Sequence, residues 1–374
     1  MVKKENKNTR YMRTKKRSML RKKRFLIPIA ILTILITARI VLPYFVKNYV
    51  NTVLADIPGY YGEVADIDIS LITGKYVINN LFLNKLDANT QIPVLDLEKT
   101  DISIAWSALV KGKIVSEVIL TRPQFIYVFE DQQINEAKDP DFDDWSKALT
   151  DLVPININHL EIINGKASFV QLAADPNIDL QLNHIELNAT NLRNVIRTGS
   201  ELPSKVEATA VSIGNGNFVL DGKMDLVKKI PDVDMSFSLE NASALALNDF
   251  TTHYAGIDFA EGEFNVFSEI AIANGYLTGY LKPLLKDSKL ISAEQDGFLN
   301  TLWEGFVGFF KFLLKNKGNN TLATKVPISG DLNQVESKVW PTVWNIFKNG
   351  WIEAFQGSVD NEIDFKDAEK ASKS

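Results

Sequence analysis

Three patterns of hydrophobic and polar positions follow one another along the chain. The first is an apolar run from Phe25 to Val46 (FLIPIAILTILITARIVLPYFV), 22 residues long. At about 1.5 Å of rise per residue, a helix of that length covers roughly 33 Å, enough for the hydrocarbon core of a bilayer. Its candidate anchor residues are Phe25, Leu26, Ile27, Ala30, Leu32, Ile34, Leu35, Ile36, Ile40, Val41 and Leu42. Arg39 interrupts the run near its far end, where a long side chain can reach the interface, and Tyr44 and Phe45 follow as an aromatic belt. Cleavage as a signal peptide would need small residues at the cut, and Ile36-Thr37-Ala38 supplies a poor site. The run therefore reads as an uncleaved single span, continued by a short helix over Lys47 to Leu54.

The second pattern is alternation with a period of two, the signature of half-buried strands. After the turn cluster Pro58-Gly59-Tyr60-Tyr61-Gly62, apolar residues recur at Val64, Ile67, Ile69 and Leu71. A second run, Tyr76, Ile78, Leu81 and Leu83, slips by one residue, which suggests a bulge at Asn79-Asn80. Further strands are expected over Val94 to Leu97, Asp101 to Trp106, Lys113 to Leu120 and Gln124 to Phe129. An acidic break from Asp131 to Asp144 precedes a short expected helix, Trp145 to Leu152, capped by Asp143 or Asp144. Ile155 to Ile162 and Ala167 to Gln171 flank Asn164-Gly165, which reads as a hairpin turn. Ile178 to Leu182 and Ile185 to Ala189 come next. Two more hairpins are expected at Gly214-Asn215-Gly216 and Asn274-Gly275, joining Val206–Ile213 to Phe218–Leu226 and Glu263–Ile272 to Tyr276–Leu281, with Val233–Leu239 between them. At least a dozen strands with few intervening helices favour a long antiparallel sheet over βαβ units.

The third pattern is aromatic and helical. Phe298, Leu302, Trp303, Phe306, Phe309, Phe310 and Leu313 recur at helical spacing, and Pro341 opens a second such stretch through Trp344, Phe347, Trp351 and Phe355. Two amphipathic helices capping the sheet are expected here; the first of them supplies candidate lipid or membrane contacts.

Charge divides the chain at the apolar run. Residues 1–24 carry twelve Lys or Arg against Glu5 alone, while the residues from Lys47 onward hold 28 basic and 45 acidic side chains, a net −17. Cations stay on the cytoplasmic side of a span, so the N-terminus is expected inside and the acidic body exported. A body of that charge is a poor partner for nucleic acid, so no nucleic-acid binding is expected.

Candidate chemistry is sparse. Without cysteine there are no disulfides, thiolate nucleophiles or thiolate metal sites. No phosphate-cradling glycine loop, GxSxG elbow or HExxH helix occurs, and His159, His184 and His253 lie apart from one another. Asp139, Asp141, Asp143 and Asp144 begin like a calcium loop but lack its Gly and distal Glu. Asp66 and Asp68 alternate with apolar residues, which puts them on the water-facing side of a strand. Asn188, Asn241 and Asn319 open glycosylation-type tripeptides, a pattern short enough to arise by chance. No catalytic, cofactor-binding or metal-ligating residue is expected.

Several stretches have a family character: Trp106-Ser107-Ala108-Leu109 with Lys111-Gly112-Lys113-Ile114-Val115; Leu120-Thr121-Arg122-Pro123; Ile163-Asn164-Gly165-Lys166-Ala167-Ser168-Phe169; Leu187-Asn188-Ala189-Thr190-Asn191-Leu192; Leu247-Asn248-Asp249-Phe250 with Tyr254-Ala255-Gly256-Ile257-Asp258; and Tyr280-Leu281-Lys282-Pro283-Leu284. In number and order they resemble the AsmA-like bacterial envelope proteins, domain of unknown function 748, over roughly Val46 to Ile363. The resemblance implies an inner-membrane anchor and a periplasmic β-rich body whose groove handles lipid. It supplies no catalytic residues. The expected fold is mainly β (α+β): a transmembrane helix, then an elongated, twisted antiparallel sheet or groove, with amphipathic helices near the C-terminus. The expected organisation is a basic cytoplasmic tail (1–24), an anchor (25–46), a β-rich exported domain (47–285) and a C-terminal aromatic segment with a final strand region and polar tail (286–374). The expected function is non-enzymatic, with phospholipid acyl chains as partners in lipid handling or outer-membrane homeostasis. An anchored scaffold that binds other envelope proteins through its sheet edges is the alternative.

Overall fold

The computed structural model describes residues 7–57, 59–70, 73–104, 116–132, 157–192, 200–226, 230–255, 258–291, 314–315, 321–323, 326–332 and 363–373. A 49-residue helix, α1 (Lys7–Ala55), opens the chain. It contains the one helix segment among the described residues that is long and apolar enough to cross a membrane, Leu26–Ala55. Pro28 and Pro43 lie inside α1. The strands are β1 (Tyr60–Ser70), β2 (Lys75–Lys85), β3 (Leu95–Ile104), β4 (Ser116–Val128), β5 (Ile157–Gln171), β6 (Ile178–Thr190), β7 (Ser204–Ser212), β8 (Asn217–Asp225), β9 (Asp232–Ser243), β10 (Phe259–Ala273), β11 (Tyr276–Leu290), β12 (Leu314–Lys315), β13 (Thr321–Ala323) and β14 (Val326–Asp331). Among the described residues three short α-helices accompany them: α2 (Phe129–Gln132), α3 (Asn248–Ala255) and α4 (Phe365–Ala371).

The strands form one open sheet. From β1 to β11 each strand pairs with its neighbours in chain order, and the outer edge of β11 is shared by β14 and β13, the latter carrying β12. The hairpins at Gly214-Asn215-Gly216 and Asn274-Gly275 are present where the sequence pattern predicts them. One pairing departs from the antiparallel expectation: β4 and β5 run parallel. Parallel neighbours need a crossover, and α2 with the segment after it supplies that connection. The sheet also continues beyond residue 285, since β11 runs to Leu290 and β14 pairs along it.

The strands are longer than the alternation suggests, because a seam crosses the sheet and shifts the phase of each strand it meets. Buried positions on β1 run Gly62, Val64 and then Ile67; on β2, Ile78 and then Leu81, Leu83; on β3, Leu95, Leu97 and then Thr100, Ile102; on β5, Ile162 and then Gly165. At the seam Asn80, Arg122, Asn164 and His184 adopt left-handed backbone angles (φ 50–54°). Flanking pairs align these points: Val64 with Leu81, Leu81 with Leu97, Leu97 with Pro123, Thr121 with Ile163, and Ile162 with Leu187. A single left-handed residue turns the side chains beyond it to the other face and bends the strand.

Two sequence expectations are corrected by the seam. Asn164-Gly165 is no hairpin turn but the middle of the fifteen-residue β5. Asn164 supplies the φ of 54° that Asn tolerates, and the chain bends there without reversing. A Cβ on Gly165 would stand 2.8 Å from Ile162 Cγ2, so the kink closes tightly around it. The slip at Asn79-Asn80 adds no residue either: the β1–β2 register is the same on both sides, and the left-handed Asn80 alone shifts the phase. The paired expectations for β3, β4 and β6 likewise merge into single strands.

A hydrophobic core forms where α1 meets the first strands. Val50, Leu54 and Ile57 lie buried against Val64, Ile67, Ile78, Leu81, Leu83, Leu95, Leu97, Ile102 and Val118. Gly62 permits the approach: a Cβ there would sit 2.8 Å from the Phe82 carbonyl oxygen and 3.3 Å from Leu54 Cβ. At the far side, Leu277, Leu281, Ile328 and Leu332 form a second cluster, and α4 lays Ala368 on Ala271 and Ala273 of β10. The expected aromatic contacts Phe298, Leu302, Trp303, Phe306, Phe309, Phe310 and Leu313, the helix from Pro341, the helix over Trp145–Leu152 and the acids Asp139 to Asp144 lie outside the described residues. Directly after Leu313 in the chain, Leu314 begins the short strand β12.

Candidate functional site

Beyond the part of the sheet covered by α1, the same apolar face opens into a trough. Leu83 and Leu95 stand at its α1 end, Phe125, Tyr127, Ala167, Phe169, Leu180 and Leu182 form its floor, and Ile213, Leu239 and Leu247 stand opposite. Its volume is about 560 Å³, and none of the described residues lining it is charged. Strands spaced about 4.8 Å apart would put β3 and β9 nearly 30 Å from each other in a flat sheet. Both line this one cavity, so the sheet curls around it.

The floor owes its apolar character to the seam. On the near side, β4 buries Ser116 and Val118; past Arg122, the phase shift turns Phe125 and Tyr127 into the trough. The Tyr127 ring stacks on Phe169, centroids 5.6 Å apart and planes within 12°, and Phe129 leans on Phe169 at 6.2 Å. Phe125 and Tyr127 nevertheless remain 38% and 41% exposed, which is unusual for aromatic residues in the middle of a sheet. Burial pushes the Tyr127 and Tyr60 hydroxyls up from their ordinary range.

The end of the trough is held by polar stitches. The buried Asp131 of α2 accepts from the Thr90 backbone N–H (3.1 Å) and the Thr90 hydroxyl (2.5 Å), tying in the β2–β3 connection. Glu130 accepts from the Ala173 N–H at 2.7 Å. Burial alone would raise the Glu130 carboxyl, but backbone donors at Ala173 and Leu172 hold it below the usual range. Asn248 brackets Phe259 through both its amide atoms (2.8 and 3.0 Å), and the Asp175 N–H donates to His253 Nδ1 (3.3 Å), so α3 reaches from β10 to the β5–β6 turn.

The predicted anchor residues lie on α1. Leu26, Ile27, Leu32, Ile34, Leu35, Ile36, Ile40 and Val41 are all exposed, and Leu42 is half-buried. Arg39 does not simply point along the span: its guanidinium donates to the Ile69 carbonyl and lies 3.9 Å from Asp68. Lys47 donates to the Ala65 carbonyl at 2.6 Å, and Asn51 accepts from the Val64 N–H at 2.8 Å. These three side chains occupy the outer edge of β1, which would otherwise offer unpaired backbone groups.

The three histidines remain apart. His159 lies in β5, His184 sits at the seam 2.8 Å from Asn164 Oδ1, and His253 belongs to α3. Among the described residues no three His, Asp or Glu side chains are grouped so as to hold a metal ion. A groove was expected, but the residues that line it were not picked out in the sequence, because they come from strands split by the phase shift. The available signal was the run Phe125, Tyr127, Phe129, whose outward aromatics have no partner nearby in the chain.

No protein-family model and no curated protein sequence matches the chain, so the AsmA-like resemblance stands on the short sequence stretches alone and any function has to be argued from the trough and the helix.

Proposed function

We propose that this is a non-enzymatic protein anchored in a bacterial inner membrane by α1, N-terminus inside, whose exported sheet holds phospholipid acyl chains in its trough. In that role it assists lipid handling or outer-membrane homeostasis. The observation that carries the reading is the uncharged trough of about 560 Å³ with exposed Phe125 and Tyr127 on its floor. An apolar concavity of that size, with few polar groups to orient a ligand, suits a flexible hydrocarbon chain better than a polar substrate. The charge step from the basic head to the acidic body supports the orientation.

Native mass spectrometry of the full chain purified in mild detergent tests the trough. Bound phospholipid is expected, lost in Phe125→Asp; a ligand-free wild type, or one whose lipid survives that substitution unchanged, overturns the reading. A reporter fused after Ser374 tests the orientation, since it is expected to be active only outside the cytoplasm. The scaffold alternative has less support from the geometry, because the exposed edge of β1 is already occupied by Arg39, Lys47 and Asn51.

A further inference from the structure

The contacts of Arg39 bear on where the membrane ends. The helix α1 and the strand β1 lie side by side in opposite directions: Leu54 packs at Gly62, Asn51 meets Val64, Lys47 meets Ala65 and Arg39 meets Ile69. Arg39 and Asp68 are an ion pair with both side chains more than half exposed. An ion pair open to its surroundings is not stable in hydrocarbon, so a complete ring of lipid tails around α1 must end before residue 39. From Phe25 to Ala38 there are fourteen residues, about 21 Å of helix, against a core of roughly 30 Å. The apolar span is short by about 9 Å on that count, or six residues.

The missing length is present on one face only. Ile40, Val41, Tyr44, Phe45 and Tyr49 line the side of α1 turned away from the sheet, each at least 40% exposed. On the opposite side, Leu42, Pro43, Val46, Lys47 and Val50 turn inward toward β1. Nothing in the described chain covers the outer stripe. It continues directly from the span, and its aromatic residues are the types that settle at a membrane interface.

We infer that the bilayer follows this outer stripe past Arg39 to the level of Tyr44 and Tyr49, so that the Asp68–Ser70 end of β1 is docked in the headgroup layer of the membrane that anchors the chain. The helix thus meets lipid on one side and its own sheet on the other at the same height. On the sheet side, a local thinning of the bilayer accommodates the short span. Arg39 lies 3.9 Å from Asp68 and Lys47 donates to the Ala65 carbonyl, so this acidic residue meets the headgroups with a cation beside it. The docking sets β1 upright: Tyr60, where the trough begins, stands ten residues or about 33 Å of strand from Ser70.

This inference rests on the anchor part of the proposed function and not on the trough. The chain has no cysteine, so single replacements give unique labels. Ile31→Cys, Tyr44→Cys and Thr52→Cys would be labelled with the fluorophore NBD in the full chain and reconstituted into nanodiscs of phosphatidylethanolamine and phosphatidylglycerol, with or without doxyl-labelled phospholipid. Quenching of at least twofold is expected at Ile31 and Tyr44, and little at Thr52, which is exposed further along the helix. If Ile31 is quenched and Tyr44 behaves like Thr52, the docking is overturned while the span stands. If Ile31 is unquenched, the anchor fails and the docking with it.

Discussion

One face of one sheet is treated in two ways. Under β1 to β3 it is closed by α1, with Leu54, Val64 and Ile67 essentially inaccessible. From β4 to β6 the same face carries Phe125, Tyr127, Phe169, Leu180 and Leu182 and remains open. The two regions do not differ in hydrophobicity, so composition does not distinguish core from trough. What distinguishes them is supply: the helix that covers the first strands continues the apolar run and ends at Ala55, and the buried residues it leads into reach only as far as Ile57. An apolar sheet face needs a cover, and past that point the described chain provides only rims, through α2 and α3.

The largest expected effect tests the closed half. Leu54→Asp puts a charge into a fully buried site beside Gly62 and should cost about 3–5 kcal/mol, read as a lowered urea midpoint for unfolding of the sheet. Phe125→Asp is the matched test of the open half. It should leave the midpoint within about 1 kcal/mol of wild type while reducing phospholipid occupancy about tenfold, a change worth roughly 1.4 kcal/mol of binding. Equal destabilisation by the two substitutions would mean that the trough is ordinary core, and the comparison would collapse.

The seam that separates the two phases is expected to be more tolerant. Asn164→Val forces a β-branched residue into a left-handed conformation and should cost about 1–2 kcal/mol, with Asn164→Gly costing less than half as much despite losing the contact to His184. Equal losses would point to the side-chain contact, not the backbone, as what matters. A smaller, pH-dependent effect belongs to the covered end. Burial pushes the Tyr76 hydroxyl from 10.0 up to about 12. Between those values the unfolded chain has released this proton and the folded chain has kept it, so stability falls as pH rises from 10 toward 12. Comparing wild type with Tyr76→Phe isolates this component: the substituted protein should show a shallower decline over that window.

Much of the local structure was legible in the sequence. Phe25 to Val46 announces a helix, and period-two alternation locates every strand from β1 to β11. What misled was Asn164-Gly165, a turn signal inside a fifteen-residue strand. Asn supplies a left-handed angle equally well to a hairpin and to a kink, and only pairing partners distinguish them: β5 continues because β4 and β6 hold it on both sides of the kink. Arg122 and His184 gave no turn signal at all. Their strained backbone is accompanied by contacts made across strands, Arg122 with Glu98 and His184 with Asn164. The Arg122 hydrogen bonds and charge also hold the Glu98 carboxyl below its usual range.

By itself the sequence determined the elements and their polarity: an apolar helix with a basic head, an acidic body, and strands with one apolar face, because side-chain periodicity and charge are local properties. Only the tertiary structure decided which parts of that face are shut and which are open. That outcome depends on how far α1 reaches over the sheet, on the seam that turns Phe125 and Tyr127 inward, and on the curl that brings β3 and β9 around one cavity. All three arise from contacts between residues far apart in the chain, which no local pattern encodes.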